Sequence, residues 1–327
     1  MPSPLPPNPF PPNAFHVAYQ RCLALEAAAP HLQALPDSPP PIVCVRLLGH
    51  LLRLAPAGNP QGQVEREITL ATDDANLMKL AKHFVSNFIK AFRGSRGSTP
   101  AQSGRPSPPS LEGARENTMV IMQEGGIDYG TAWTTAMCRG DNRCMLTGES
   151  DFRGGGWRHI EAAHIIPQAT NRNIGEEGNK FHSAGVRTVL SMLAEIDLPE
   201  LLSDGLIHRL ENIMTLQHDC HAAFDDLILW LKPVEGIQDT YSVHEAFQGL
   251  KTVKGIPDKV TFSTTTAYPL PHPALLALHA LCCEVAWMSG AAEYLMDIER
   301  RMDETRVLAN DGSTADVLMK ALALVET

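Results

Sequence analysis

The stretch "GSRGSTPAQSGRPSPPSLEGARENT", residues 94–118, divides the chain into two parts. Glycine and serine leave the backbone loose, and proline removes amide donors. So little apolar surface cannot offset the entropy of ordering such a segment. It reads as a linker, and folded structure has to come from either side of it. With 327 residues there is room for two or three domains, and an apolar fraction of 44% supplies an ordinary core.

Residues 1–13 are proline-rich and read as extended or disordered, and residues 14–35 carry a broken helical pattern. Two apolar runs within 39–72 flank a Gly/Pro/Asn-rich turn, which predicts a β-hairpin. Residues 73–94 predict a helix. It opens on acidic residues, sets Leu77, Leu80, Phe84, Phe88 and Ile89 on one face, and closes on Lys90, Arg93 and Gly94. Beyond the linker, 119–250 holds the polar residues of interest. The tail 251–327 predicts two helices broken near Ser289-Gly290 and a final short helix. The segments 39–93 and 251–327 are each too short to bury a convincing core and are expected to pack together.

The net charge is −10, so contact with a polyanion would need a local basic patch. One candidate is 79–115, where Lys79, Lys82, Lys90, Arg93, Arg96, Arg105 and Arg115 face a single acidic residue, Glu112. It is either a solvating linker after a helix with a basic end or an arm that contacts nucleic acid. The seven cysteines (Cys22, Cys44, Cys138, Cys144, Cys220, Cys282 and Cys283) are odd in number and irregularly spaced, which suits a reduced, intracellular chain. The N-terminus has neither a basic n-region nor an apolar h-region, and no run approaches the eighteen apolar residues a membrane helix needs. A cytoplasmic or nuclear location is expected.

Three stretches carry possible chemistry. "CMLTGES" at 144–150 reads as a strand ending in a Thr147-Gly148 turn. "EAAHIIPQAT" at 161–170 reads as the end of a buried strand, with His164 in its middle and a proline that stops the ladder. In "ENIMTLQHDCHAAFDD" at 211–226, Asn212 opens an apolar stretch, and "HDCHAAFDDLILWL" reads as a helix from His218 onward. On that helix His221 and Asp225 are four apart and share a face, which suits two ligands of one divalent ion. A histidine in an apolar strand is also, commonly, a hydrogen-bonded core residue.

The ordered set C-x-x-TG, A-H-I-I-P and N-x8-H-x-x-F-D followed by "LILWLKP" resembles the HNH nucleases of the ββα-metal type, most closely the HNH-domain proteins of fungi. The resemblance is strongest over 138–235, and the helices near 275–295 also resemble the C-terminal helices of those fungal proteins. It implies an α+β fold: a two-stranded antiparallel ribbon packed on a helix, with helical extensions at both ends and a divalent metal (Mg, Mn, Ni or Zn) between ribbon and helix. It implies His164 as the general base that takes a proton from water, and Asn212 as the residue that holds the loop and orients that base. His221 and Asp225 are the implied metal ligands.

Two departures bear on the chemistry. The position before the first histidine, often acidic in the family, is Ala163 here. The nearest carboxylate is Glu161, which the period of two places on the same side, and it is the third candidate ligand. Of a four-cysteine zinc knuckle only Cys144 and Cys220 remain, with Cys138 and His218 nearby, so a structural zinc is not expected. His159, His182, His208 and His218 read as surface or supporting residues, and Trp157 and Trp230 as core. Residues 138–235 hold nine Lys/Arg against fifteen Asp/Glu, an awkward balance for an enzyme acting on DNA. A metal-dependent endonuclease, a non-catalytic HNH-like binding module and an enzyme turned to a small-molecule substrate all stay open.

Overall fold

The computed structural model describes residues 2–34, 38–93, 129–152, 155–156, 159–167, 177–194, 196 and 206–304. The linker 94–118, Trp157 and the expected final helix lie outside them. The first elements are α1 (Ala14–Ala28), α2 (Pro41–Leu54), α3 (Asn59–Leu70), α4 (Asp74–Phe84) and α5 (Tyr129–Arg139). There follow β1 (Ile160–His164), α6 (Glu177–Leu193), β2 (Ile213–Gln217), α7 (His218–Asp225), β3 (Leu229–Pro233) and β4 (Thr240–Glu245). The chain then forms α8 (Leu250–Lys254), β5 (Lys259–Thr261), α9 (Pro273–Ser289) and α10 (Ala291–Glu304). Helices and small sheets together make the fold α+β.

The elements gather into two compact units. A helical unit comprises Met1–Ala91, Arg172–Glu195 and Leu281–Thr327, and a ribbon unit comprises Phe92–Asn171 and Ile196–Ala280. The units cut across the linear division read from the sequence, because 172–195 joins the helical unit and the chain up to Ala280 joins the ribbon unit.

In the helical unit, Asn13 caps α1 by accepting the His16 amide at 3.0 Å, and Asp73 caps α4 by accepting the Asn76 amide at 2.7 Å. The α4 backbone runs on through one π turn, Val85–Ile89, to Phe92. The hairpin expected within 39–72 is not there: α2 and α3 occupy it. Pro41 and Pro60 stand in first helical turns, where a missing amide costs nothing. Leu47, Leu48, Leu51 and Leu52 recur at helical spacing and are fully buried. The Gly/Pro/Asn run therefore joins two helices, with Gly58 at φ 102°.

The proline-rich arm is extended and held. The Ser3 amide donates to the Met288 carbonyl at 2.9 Å. Tyr19 Oη donates to the Pro6 carbonyl at 3.1 Å, and Leu5 is buried against α2. Gly49 leaves room for that contact, since a Cβ there would lie 2.6 Å from the Leu5 methyls. Of the expected basic stretch, Arg93 is buried, and burial lowers Lys90 to about 8. Lys79 remains an exposed charge. Arg96, Arg105 and Arg115 lie outside the described residues.

In the ribbon unit, β1 and β2 pair antiparallel, with Ile160 opposite Gln217 and His164 opposite Ile213. Ala132 and Ala136 of α5 pack on Ala162, Leu210 and Ile213. Small side chains on both surfaces allow the helix to lie close. The buried Arg139 ties α5 to this end of the ribbon: Nη1 donates to the Leu210 carbonyl at 2.7 Å and Nη2 to the Ile213 carbonyl at 2.6 Å. "CMLTGES" forms a closed turn rather than a strand. Its ends are joined by the Cys144 amide donating to the Glu149 carbonyl at 3.0 Å, and Gly148 sits at φ 71°.

The helix read from His218 onward stops at Asp225. Leu227 takes φ 60°, and the Ile228 amide closes back on the Ala223 carbonyl at 2.8 Å. The apolar run that follows is the first strand of a second sheet, β3-β4-β5. Its Trp230 is buried and stacks on His244 at 6.0 Å. Among the described residues no single helix is long and apolar enough to cross a membrane.

Candidate functional site

Every candidate site residue lies in the ribbon unit. The ribbon delivers two of them. Glu161 and His164 stand on β1, which ends at His164 because the chain leaves the ladder toward Pro167. The loop that follows is clamped by Asn212. Its Oδ1 accepts the Ile166 amide at 2.8 Å, and its Nδ2 donates to the carbonyls of Ile166 at 3.0 Å and Ile207 at 2.9 Å. Asn212 is buried, and the three bonds its amide makes all go to backbone. It has no direct bond to His164; it fixes the loop that leads away from it.

Helix α7 delivers His221 and Asp225. His221 Nδ1 lies 2.7 Å from Glu161 Oε2, and its Nε2 lies 3.4 Å from Asp225 Oδ2. Glu161 also meets His218 Nδ1 at 3.0 Å and His159 Nε2 at 3.4 Å. One carboxylate thus faces three imidazoles. The His221 hydrogen bond, opposed by burial and helped by His218, pulls Glu161 down to about 2. Burial works to lower His221, but Glu161 and Asp225 outweigh it and its pKa rises. Asp225 is pushed up to about 6, chiefly by burial, against the pull of His221.

His164 sits among rings. Its Nε2 lies 3.0 Å from His208 Nδ1, and Tyr129 stacks on it at 5.7 Å. Burial first, then the charges of His208 and His221, lower His164 to about 3, so it is neutral near pH 7 with one nitrogen lone pair to offer. Tyr129 Oη donates to the Ala162 carbonyl at 3.3 Å, and burial together with the nearby charges of Glu161 and Asp225 raises its pKa.

Two of these residues stood outside the sequence-predicted site. Of the two readings open for His208, surface or supporting, the structure gives the second: it is buried against His164. Tyr129 was not singled out, and nothing in its local pattern marks it. The order of motifs brings the strand, the clamp and the helix together, but which residues line the far side of His164 depends on how α5 and the 206–212 turns fold back.

Cys144 and Cys220 share a hydrogen bond. The Cys220 thiol, with donors from Thr147 and Gln217, lowers Cys144 to about 6 against the effect of burial, while Cys220 is raised. Gln217 Nε2 donates to Thr147 Oγ1 at 2.6 Å. Among the described residues, no three His, Cys, Asp or Glu side chains stand arranged to share an ion. Glu161, His221 and Asp225 instead engage each other. The chemistry of the donors, two carboxylates and neighbouring imidazoles, suits Mn, Ni or Zn: His218 and His221 meet Glu161, and Asp225 meets His221.

Residues 144–230 match the family model described as HNH endonuclease, a stretch that spans β1, β2, α7 and the start of β3. No curated protein and no solved structure matches the chain.

Proposed function

We propose that the ribbon unit is a metal-dependent endonuclease centre that hydrolyses phosphodiester bonds of a nucleic acid. One observation carries the reading: a neutral, ring-packed His164 stands at the end of a strand three residues from Glu161, and Glu161 engages the helix that bears His221 and Asp225. The match of 144–230 to HNH endonucleases supports it. Hydrolysis of a phosphodiester needs a proton acceptor for water and relief of the charge that builds on phosphate. The lone pair of His164 supplies the first. Glu161, His221 and Asp225 would hold a divalent ion, which when bound stabilises charge on the phosphate and the leaving oxygen. Asn212 keeps the loop after His164 in place. His159 and His218, both exposed beside Glu161, are within reach of a phosphate that docks at the cluster.

The second reading, a binding module on the same scaffold, rests on Ala163. This residue is wholly buried and adds no carboxylate to the cluster. A plasmid-nicking assay across Mg²⁺, Mn²⁺, Ni²⁺ and Zn²⁺ separates the two. Nicking should appear with the softer ions first, because imidazole favours them. His164→Ala should lower it on the order of 10²–10⁴-fold while leaving metal affinity intact. DNA retention with no cleavage under any ion would establish the binding module. Neither retention nor cleavage would point to a small-molecule substrate.

A further inference from the structure

We propose that His208 is a positioning residue: its Nδ1 accepts a hydrogen bond from His164 Nε2–H and so holds His164 in the tautomer whose Nδ1 lone pair is bare. The inference rests on the reading of His164 as the proton acceptor. The two nitrogens are 3.0 Å apart, a distance that requires one proton between them. With both rings neutral, two arrangements provide it. Either both rings carry their proton on Nε2, and His164 donates, or both carry it on Nδ1, and His208 donates. The first puts both imidazoles in the tautomer a free histidine side chain prefers in water, and only the first leaves His164 able to take a proton at Nδ1.

The surroundings hold the pair in place. The rings lie 5.1 Å apart at 58°, and His208 is buried. Tyr129 stacks on His164 at 5.7 Å and meets His208 edge-on at 5.9 Å, so one phenol touches both rings. The depressed basicity of His164 agrees with a neutral ring at that position. The arrangement answers a problem peculiar to histidine bases. A ring with two nitrogens presents the wrong one unless its partner nitrogen is engaged.

The test uses the whole chain labelled with ¹⁵N-histidine. Long-range ¹H–¹⁵N correlation of the imidazoles at neutral pH, assigned by the signals lost in His164→Ala, should show His164 protonated on Nε2 and bare on Nδ1. Protonation on Nδ1 overturns the proposal. His208→Phe removes the acceptor; it should mix the two tautomers of His164 and lower kcat for nicking roughly 10–100-fold with little change in KM, the usual cost of removing the group that orients a site histidine. His208→Asn offers Oδ1 where Nδ1 stood, and should restore one tautomer and most of kcat. If Asn falls as far as Phe while both variants keep the wild-type unfolding midpoint, the acceptor role is wrong. The wild-type spectrum needs no turnover. A chain that nicks nothing therefore defeats the nuclease reading without touching the tautomer result.

Discussion

Asn212 shows what a single buried side chain can contribute without entering any reaction. Its amide accepts once and donates twice, always to backbone, across the loop that follows His164. Each such bond is worth about 1 kcal/mol net, and truncation strands its partners, so Asn212→Ala should cost about 3 kcal/mol in urea unfolding. A loss below about 1 kcal/mol would mean the loop is held by something else. Glu161 makes a different prediction. Its folded pKa lies near 2 against an ordinary 4.5, so its stabilisation is whole above about pH 4.5 and fades as pH falls toward 2. His221 runs the other way. Its raised pKa adds stability that is full below pH 6.5, its ordinary value, and is lost as pH rises through the raised one. Stability from the pair should therefore be greatest between about pH 4.5 and 6.5, and Glu161→Gln should flatten both limbs of a stability-versus-pH curve measured by urea titration. Glu161 was legible in the sequence through the period of two of its strand, and Asn212 through the resemblance to HNH nucleases. His208 was not: it falls in "DGLIHRL", which no period marks, and only the fold brings it to His164.

At the scale of elements, β1 and the start of α7 could be read from local pattern, while the ribbon that pairs β1 with β2 was implied by the family resemblance. The misread elements share one cause, which is that turn residues do not say what they join. Ala55–Gly58 connects helices where a hairpin was expected, and Leu227 ends α7 early by taking a left-handed conformation that the sequence gives no reason to expect of leucine. The turn at 144–150 and the start of α7 supply two pairs at matching spacing, Cys144 with Thr147 and Gln217 with Cys220. Hydrogen bonds link the four residues. Those bonds stand where four thiolates would make a closed zinc site. The double variant Thr147→Cys, Gln217→Cys should bind a zinc ion between these four side chains, seen as Co²⁺–thiolate absorption on cobalt substitution, and the unmodified chain should show no such band. Absence of that band in a folded double variant would show that the four side chains do not converge.

At the scale of the whole molecule, neither unit is a continuous piece of sequence. The helical unit depends on its N-terminal arm, in which Leu5 is buried and Gly49 gives it space. Leu5→Ala should lower stability by about 2 kcal/mol, read as a drop in Tm of the helical unit, since it empties a packed site. Gly49→Val should produce a comparable loss by pushing Leu5 out, and combining the two should cost less than their sum, because they act on one contact. An additive pair would mean that Gly49 is required for some other reason. The bond from the Ser3 amide to the Met288 carbonyl reaches across almost the whole sequence. During synthesis the arm leaves the ribosome before its acceptor, roughly 15–60 s earlier at 5–20 residues per second. For that interval the newborn chain carries a proline-rich arm with its leucine uncovered, and translation speed and any chaperone that binds extended apolar segments act on the protein before its helical unit can close.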